Sequence, residues 1–304
     1  MLSAPYLPPE TVRKYNTKLM DIFSLYMNLF PTAVDPQAVT ELAADCNIPT
    51  AEAFAHYLAA LMDLDAGGAD RLFFQHWLLP AIHELEPDAY TADDYFQKIK
   101  IPTDLRGKWQ LKTERLAPFE AFVCNDIVVT KDRRMIPQIG FFKEEYKFPA
   151  VLENGREWMT LLPNEMVTSY PAIRAANGRV LTFGLGLGFF AYHASQKENV
   201  SSVTVVDISD DVIELFRTHI LPQFPNKDKI NIIKMDAFSF AQTQMAGNFD
   251  FVFADIWHDA GDGRDLYLRM KEIAAKHPDI EFSFWLEDTI RCYLDEELWD
   301  IPKA

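Results

Sequence analysis

Apolar residues along this chain change their spacing twice. From residue 9 to about 97 they recur at intervals of three and four, as in Val12, Leu19, Ile22, Phe23, Tyr26 and Leu29, the period of an amphipathic helix. Asp35 is placed to cap a second helix through Ala44, and Thr50 opens a third through Leu64, both with good capping chemistry. Gly67-Gly68 breaks the chain. A fourth helix runs through Phe73, Trp77 and Ile82 to Pro87, and a short fifth begins at Thr91. Between 118 and 162 the apolar runs shorten to Phe122-Val123, Ile127-Val128-Val129, Ile139 to Phe142 and Trp158 to Leu162. Asn125-Asp126, Lys131-Asp132 and Asn154-Gly155 separate them as turns. From Arg179 onward strands at 179–183, 202–207, 230–234, 249–255 and 280–285 alternate with helices at 188–197, 209–219, 237–245 and 264–276. Strands separated by single helices imply a parallel, doubly wound sheet covered on both faces. The expected fold class is therefore α/β: a mostly parallel sheet preceded by an all-helical N-terminal domain and a small β element. The expected domains are 1–118 and 119–304.

Charge narrows the partners. The 304 residues carry a formal net charge of −16, a field that repels phosphate backbones and argues against nucleic acid. Residues 1–97 hold fourteen acids against four bases. A basic run of Lys98, Lys100, Arg106, Lys108, Lys112 and Arg115 follows; it reads first as a solvated linker and second as a contact for an acidic partner. Cys46, Cys124 and Cys292 are far apart, as in a reducing compartment. The start MLSAPYLPPE lacks a charged-then-apolar leader, and no apolar run reaches the ~20 residues that span a bilayer. These features predict a cytoplasmic protein without a membrane partner. His56, His76, His83, His193, His219 and His277 are scattered, so no metal site is expected.

Three glycines, Gly184, Gly186 and Gly188, alternate between the first parallel strand and its helix. Glycine costs stability in either element, so close approach of a ligand to this backbone is the expected reason, at the strand ends where open α/β sheets bind ligands. The next strands end in Asp207, Asp236 and Asp255. A lone aspartate there is commonly a helix cap; a carboxylate at every tip suggests more.

The spacing GxGxG, with Asp236, resembles the class I S-adenosylmethionine-dependent methyltransferases, over about residues 160 to 290. Within them the chain is similar to the spermidine-synthase-like group, through the β element before the sheet, the Glu165-Met166 segment and the phrase FVFADIWHDAGDG from Phe251 to Gly263. The resemblance implies a Rossmann-like methyltransferase domain. It implies S-adenosyl-L-methionine as cofactor, with Gly184, Leu185, Gly186 and Gly188 beside its methionine part, Asp207 and Ile208 at the ribose, Asp236 and Ala237 at the adenine, and Asp255 near its amine. Aminopropyl-transferring relatives carry an acid in the glycine loop, where Leu187 stands here, and a DxxDP segment, where Asp255-Ile256-Trp257-His258-Asp259 stands. Thr182 replaces the acid that many methyltransferases place two residues before the first glycine.

Asp255, His258 and Asp259 are the candidate catalytic residues: His258 as a base oriented by an acid, Asp255 to hold an amine, with Trp257 to pack on a cation. Asp262 reads as a turn and cap. Glu165 reads equally as a first-turn acid and as a pocket wall, and Glu287-Asp288 as solvated. The leading expectation is methyl transfer to a small, amine-bearing substrate. Aminopropyl transfer in polyamine chemistry is the alternative, and a non-catalytic nucleotide-binding module is the third. Homodimerisation is left open.

Overall fold

The computed structural model describes residues 7–294. The chain forms two compact units, Met1–Pro87 with Arg115–Lys147, and Asp88–Glu114 with Phe148–Ala304. Against the single boundary placed at 118/119, the units exchange the chain at three points.

The first unit contains α1 (Pro9–Leu29), α2 (Pro36–Cys46), α3 (Thr50–Leu61) and α4 (Arg71–Phe73), the last prolonged by a π turn and a 3-10 turn to Ala81. It is not all helical. The helix expected to continue through Ile82 stops because Pro80 has no N–H to give the preceding turn. β1 (Ile82–Glu84) then pairs in parallel with β5 (Met135–Phe141), which is antiparallel to β4 (Phe122–Val129). Asn125-Asp126, read as a turn, lies inside β4. Register shifts on both sides of Asn125 accommodate it, as β-bulges do. Asn16 of α1 joins helix to sheet. Its Oδ1 accepts from Trp77 Nε1 at 2.9 Å and from Met135 N at 3.0 Å, and its Nδ2 donates to the Arg133 carbonyl at 2.9 Å.

The second unit begins with α5 (Asp88–Thr91) and α6 (Asp94–Lys98). A four-stranded sheet follows in the order β2 (Asp104–Arg106), β3 (Trp109–Leu116), β6 (Tyr146–Glu153), β7 (Arg156–Thr160). Of the basic run of residues 98–115, Arg106, Lys112 and Arg115 lie in strands and Lys98 in α6, and three of its lysines pair with acids: Lys98 with Asp94 at 2.7 Å, Lys108 with Glu153 and Lys112 with Glu114. After α7 (Pro163–Ala175) comes a five-stranded parallel sheet of β8 (Gly178–Phe183), β9 (Val200–Asp207), β10 (Ile230–Lys234), β11 (Phe251–Ala254) and β12 (Glu281–Phe284), in the order β10-β9-β8-β11-β12. The strands alternate with α8 (Phe189–Gln196), α9 (Asp210–Leu215), α10 (Ala237–Thr243) and α11 (Ala260–Ala274), and α12 (Glu287–Cys292) follows the last. The expected five strands form one parallel sheet. The sequence from Thr289 to Leu298 also reads as helical, and it lies partly outside the described residues. Glu287, read as solvated, accepts from Tyr267 Oη at 2.7 Å. At the edge of the sheet remote from the glycines, Arg179 holds Asp250 through its Nη2 at 2.9 Å and its backbone N–H at 2.7 Å. These bonds, chiefly those of the Arg179 side chain, draw the Asp250 carboxyl down to about 2. No helix among the described residues is long and apolar enough to cross a membrane.

Replacing Asn16 by leucine leaves the Trp77 indole N–H, the Met135 N–H and the Arg133 carbonyl without their partner. A urea titration of Asn16→Leu should show a loss of about 2–4 kcal/mol, the scale of stranding buried polar groups.

Candidate functional site

The strand order sets the position of the site. From β8 the chain moves outward to β9 and β10, then returns to the other side of β8 to form β11 and β12. The connections leave β8 and β11 in opposite directions, which opens a crevice at their carboxyl ends. There the glycine loop turns. Gly184 has φ of +95° and donates to the Val206 carbonyl at 2.9 Å. A Cβ on it would overlap the Asp255 carbonyl. At Gly186, with φ of +49°, a Cβ would overlap the Met159 sulfur. The expected reason for these glycines, approach of a ligand, is thus not the first one: the chain's own atoms occupy the space that side chains would need. Gly188 serves as N-cap of α8, outside the cavity wall.

A cavity of about 520 Å³ adjoins the loop, within the range of small-molecule sites. Gly184, Leu185, Gly186, Asp207, Ile208, Asp236, Ala237 and Asp255 all line it, eight of the nine expected cofactor contacts. Asp207, at the tip of β9, accepts from Leu185 N at 3.0 Å and Ser209 N at 2.8 Å. Burial nonetheless raises its carboxyl above the ordinary value. Asp236 has two jobs at once. Its Oδ1 caps α10 by accepting from Ser239 N at 2.8 Å and Ser239 Oγ at 3.0 Å, while the residue still faces the cavity. The Gly186 N–H has no hydrogen-bond partner among the described residues. The Leu187 N–H meets only the Met159 sulfur, at 3.0 Å, a weak acceptor.

Two acids of the cavity wall repel each other. Glu165, in the first turn of α7, and Asp255, after β11, both line the wall, and no ion pair holds either among the described residues. Burial pushes the Asp255 carboxyl up to about 7. Burial and repulsion by Asp255 push that of Glu165 well above its usual range. With Glu153, Asp207 and Asp236, five carboxylates line the cavity against one lysine, Lys108, which is already paired to Glu153.

The three expected catalytic residues do not converge. Asp255 and His258 line the cavity; Asp259 does not. Asp259 caps α11, accepting from Gly261 N at 2.7 Å and Asp262 N at 3.0 Å in a reciprocal box with Asp262. His258 Nε2 lies 3.0 Å from the Glu157 carbonyl. A carbonyl only accepts, so this nitrogen carries the proton. Nδ1 sits 3.5 Å from Asp259 Oδ2. Trp257 packs its ring against Gly263 of α11, and its indole N–H has no partner among the described residues. Sequence reasoning gave no ligand role to Trp109, Trp158 and Met159. Trp109 and Trp158 meet edge to face at 5.7 Å, and Trp158 stands 5.7 Å from His258. These residues come from two hairpins folded over the strand tips, and nothing in their local spacing announces it. No group of three or more metal-binding side chains occurs among the described residues.

A family model described as Spermine/spermidine synthase domain matches residues 161–273, somewhat more than a third of the chain, from the start of α7 into the last turn of α11. None of the curated proteins matches the chain. The match supports a domain of the spermidine-synthase-like kind on the methyltransferase fold, and favours a polyamine aminopropyltransferase-like or related enzyme over methyl transfer specifically.

Carboxyls that are raised by folding favour the native state below their unfolded values, near pH 4, and lose that contribution as the pH climbs through about 7. Asp255→Asn removes the charge that Glu165 opposes. Urea titrations should find this variant more stable than the parent at pH 8, by on the order of 2–4 kcal/mol, and nearly equal to it at pH 4.

Proposed function

We propose that the second unit binds an adenosyl sulfonium compound and transfers a carbon group from its sulfur to an amine, as in aminopropyl transfer to a polyamine. The observation that carries this reading is the charge of the cavity: five carboxylates and one already paired lysine. A decarboxylated S-adenosylmethionine and a diamine are both cations, with no carboxylate needing a basic partner. Unpaired buried charges are costly, and a cationic ligand at Glu165 and Asp255 offsets that cost. The Spermine/spermidine synthase domain match is consistent with this choice.

The residues fit the adenosyl group. Asp207 stands where a ribose diol would meet it, Oδ2 of Asp236 is left over from its capping role, and Phe238 lines the cavity with Arg269 stacked 3.8 Å over its ring. The bound sulfonium supplies an electrophilic carbon. The chain's own contribution is alignment and proton removal. As the amine nitrogen bonds to that carbon, the carbon–sulfur bond breaks, its electron pair stays on sulfur, and Asp255 takes the proton the amine releases. A base titrating near neutrality suits that task. The Trp109–Trp158 pair offers aromatic faces to a second ammonium.

Methyl transfer is the second reading. Leu187 supports it, since its apolar side chain is fully buried where an aminopropyl-transferring loop carries an acid. The free Gly186 N–H could meet a methionine carboxylate.

Incubation with decarboxylated S-adenosylmethionine and putrescine, read by mass spectrometry, should yield the aminopropylated diamine and methylthioadenosine. Asp255→Asn should lower kcat by about 10²–10⁴, the range for a general base. A methylated amine formed from S-adenosylmethionine, with no product from the decarboxylated donor, would establish the second reading. Absence of binding of either donor in calorimetry would overturn both.

A further inference from the structure

The glycine loop gains from its three glycines a freedom that has to be countered if it is to meet a ligand in one conformation. One anchor comes from outside the βαβ unit. Tyr95 of α6 is 1% exposed, and its hydroxyl donates to the carbonyl of Leu187 in the middle of the loop. Its ring is held edge to face by Phe189 at 5.6 Å and Tyr192 at 5.3 Å, both on the helix the loop leads into. Its helix is anchored in turn. Asp93 caps α6, accepting from Tyr95 N at 2.8 Å, while also accepting from Tyr170 Oη and lying 3.2 Å from His193 Nε2. Tyr192 Oη donates to Asp94 at 2.9 Å. A phenylalanine would fill the same space; only the hydroxyl explains a tyrosine in a fully buried position.

We propose that Tyr95 is a positioning residue: by fixing the Leu187 carbonyl it sets the loop so that the Gly186 backbone lines the cavity beside the tail of the sulfonium ligand rather than its nucleoside. The inference rests on the adenosyl-sulfonium reading of the site. Leu187 is bonded on both sides of its Cα, by Tyr95 at its carbonyl and by Met159 at its N–H. Gly186 and Gly188 flank it with φ of +49° and +78°. The Tyr95 hydroxyl is the stronger of the two restraints, since thioether sulfur is a weak acceptor.

The test is Tyr95→Phe, which keeps the ring and removes one hydrogen bond. Calorimetry should show about a tenfold loss of affinity for decarboxylated S-adenosylmethionine, the scale of one such bond, and less than a twofold change for 5′-methylthioadenosine, which lacks the tail. Equal losses for both ligands, or none for either, would overturn the proposal. Hydrogen exchange on the unaltered protein gives an answer that does not depend on the variant folding. The amides of Gly184, Leu185 and Gly188, which are bonded within the protein, should be protected before any ligand is added; free exchange there that ends only on ligand binding would refute a preset loop. If the unaltered protein binds neither nucleoside, the reading of the site fails, and exchange at Gly184, Leu185 and Gly188, faster in Tyr95→Phe than in the unaltered protein, still decides whether Tyr95 sets the loop.

Discussion

The pairing of β8 with β11 is the contact on which the site depends. These strands are separated by two full strand–helix passages, yet they lie side by side, with Ala254 beside Phe183 in the register. One step beyond, the Asp255 N–H donates to the Phe183 carbonyl at 3.0 Å, and the Asp255 carbonyl lies against Gly184. The approach is so close that no residue with a side chain fits at 184. This backbone contact fixes Asp255 beside the glycine loop, which places a carboxylate next to whatever the loop holds. The parallel sheet brings Asp207 and Asp236 to the same edge through the neighbouring strands. Three acids far apart in sequence thereby share one cavity.

That grouping has an electrostatic cost, and the chain does little to relieve it internally. Elsewhere several acids are matched: Asp250 by Arg179, Asp70 by Lys18, Asp210 by Lys234. Glu165 and Asp255 have no such partner among the described residues, and burial raises both carboxyls. Groups with perturbed proton affinity concentrate at functional sites because binding and proton transfer need them there. The same feature gives polarity to the cavity: acids in its wall, with the indoles of Trp109 and Trp158 among its lining.

Much of this was legible in the sequence. The alternating strands and helices after Arg179 carry their own periodicity, so the parallel sheet and the aspartates at its strand tips could be placed without coordinates. Local patterns also misled. Ile82 continues a helical spacing but begins a strand, because Pro80 overrides the pattern. Asn125-Asp126 has turn chemistry but sits in a bulged strand. Asp259 resembles a catalytic acid and is a helix cap. Trp109, Met159 and Tyr95 were not legible at all as parts of the site, since each acts through tertiary folding: hairpins laid over the strand tips, and a five-residue helix whose one buried hydroxyl reaches a loop 92 positions away.

The path of the chain between its two compact units has a bearing on how such a protein can be divided. The parallel sheet and the glycine loop lie after residue 148, but the tyrosine bonded to the loop and the tryptophan that walls the cavity belong to the stretch Asp88–Glu114. A C-terminal fragment beginning at the β element would contain every glycine and aspartate of the motif and yet omit these supports. The segment matched by the family model, residues 161–273, is therefore smaller than the compact unit that contains it. Recombination or truncation at the edges of the recognisable domain would separate the glycine loop from the tyrosine hydroxyl bonded to it.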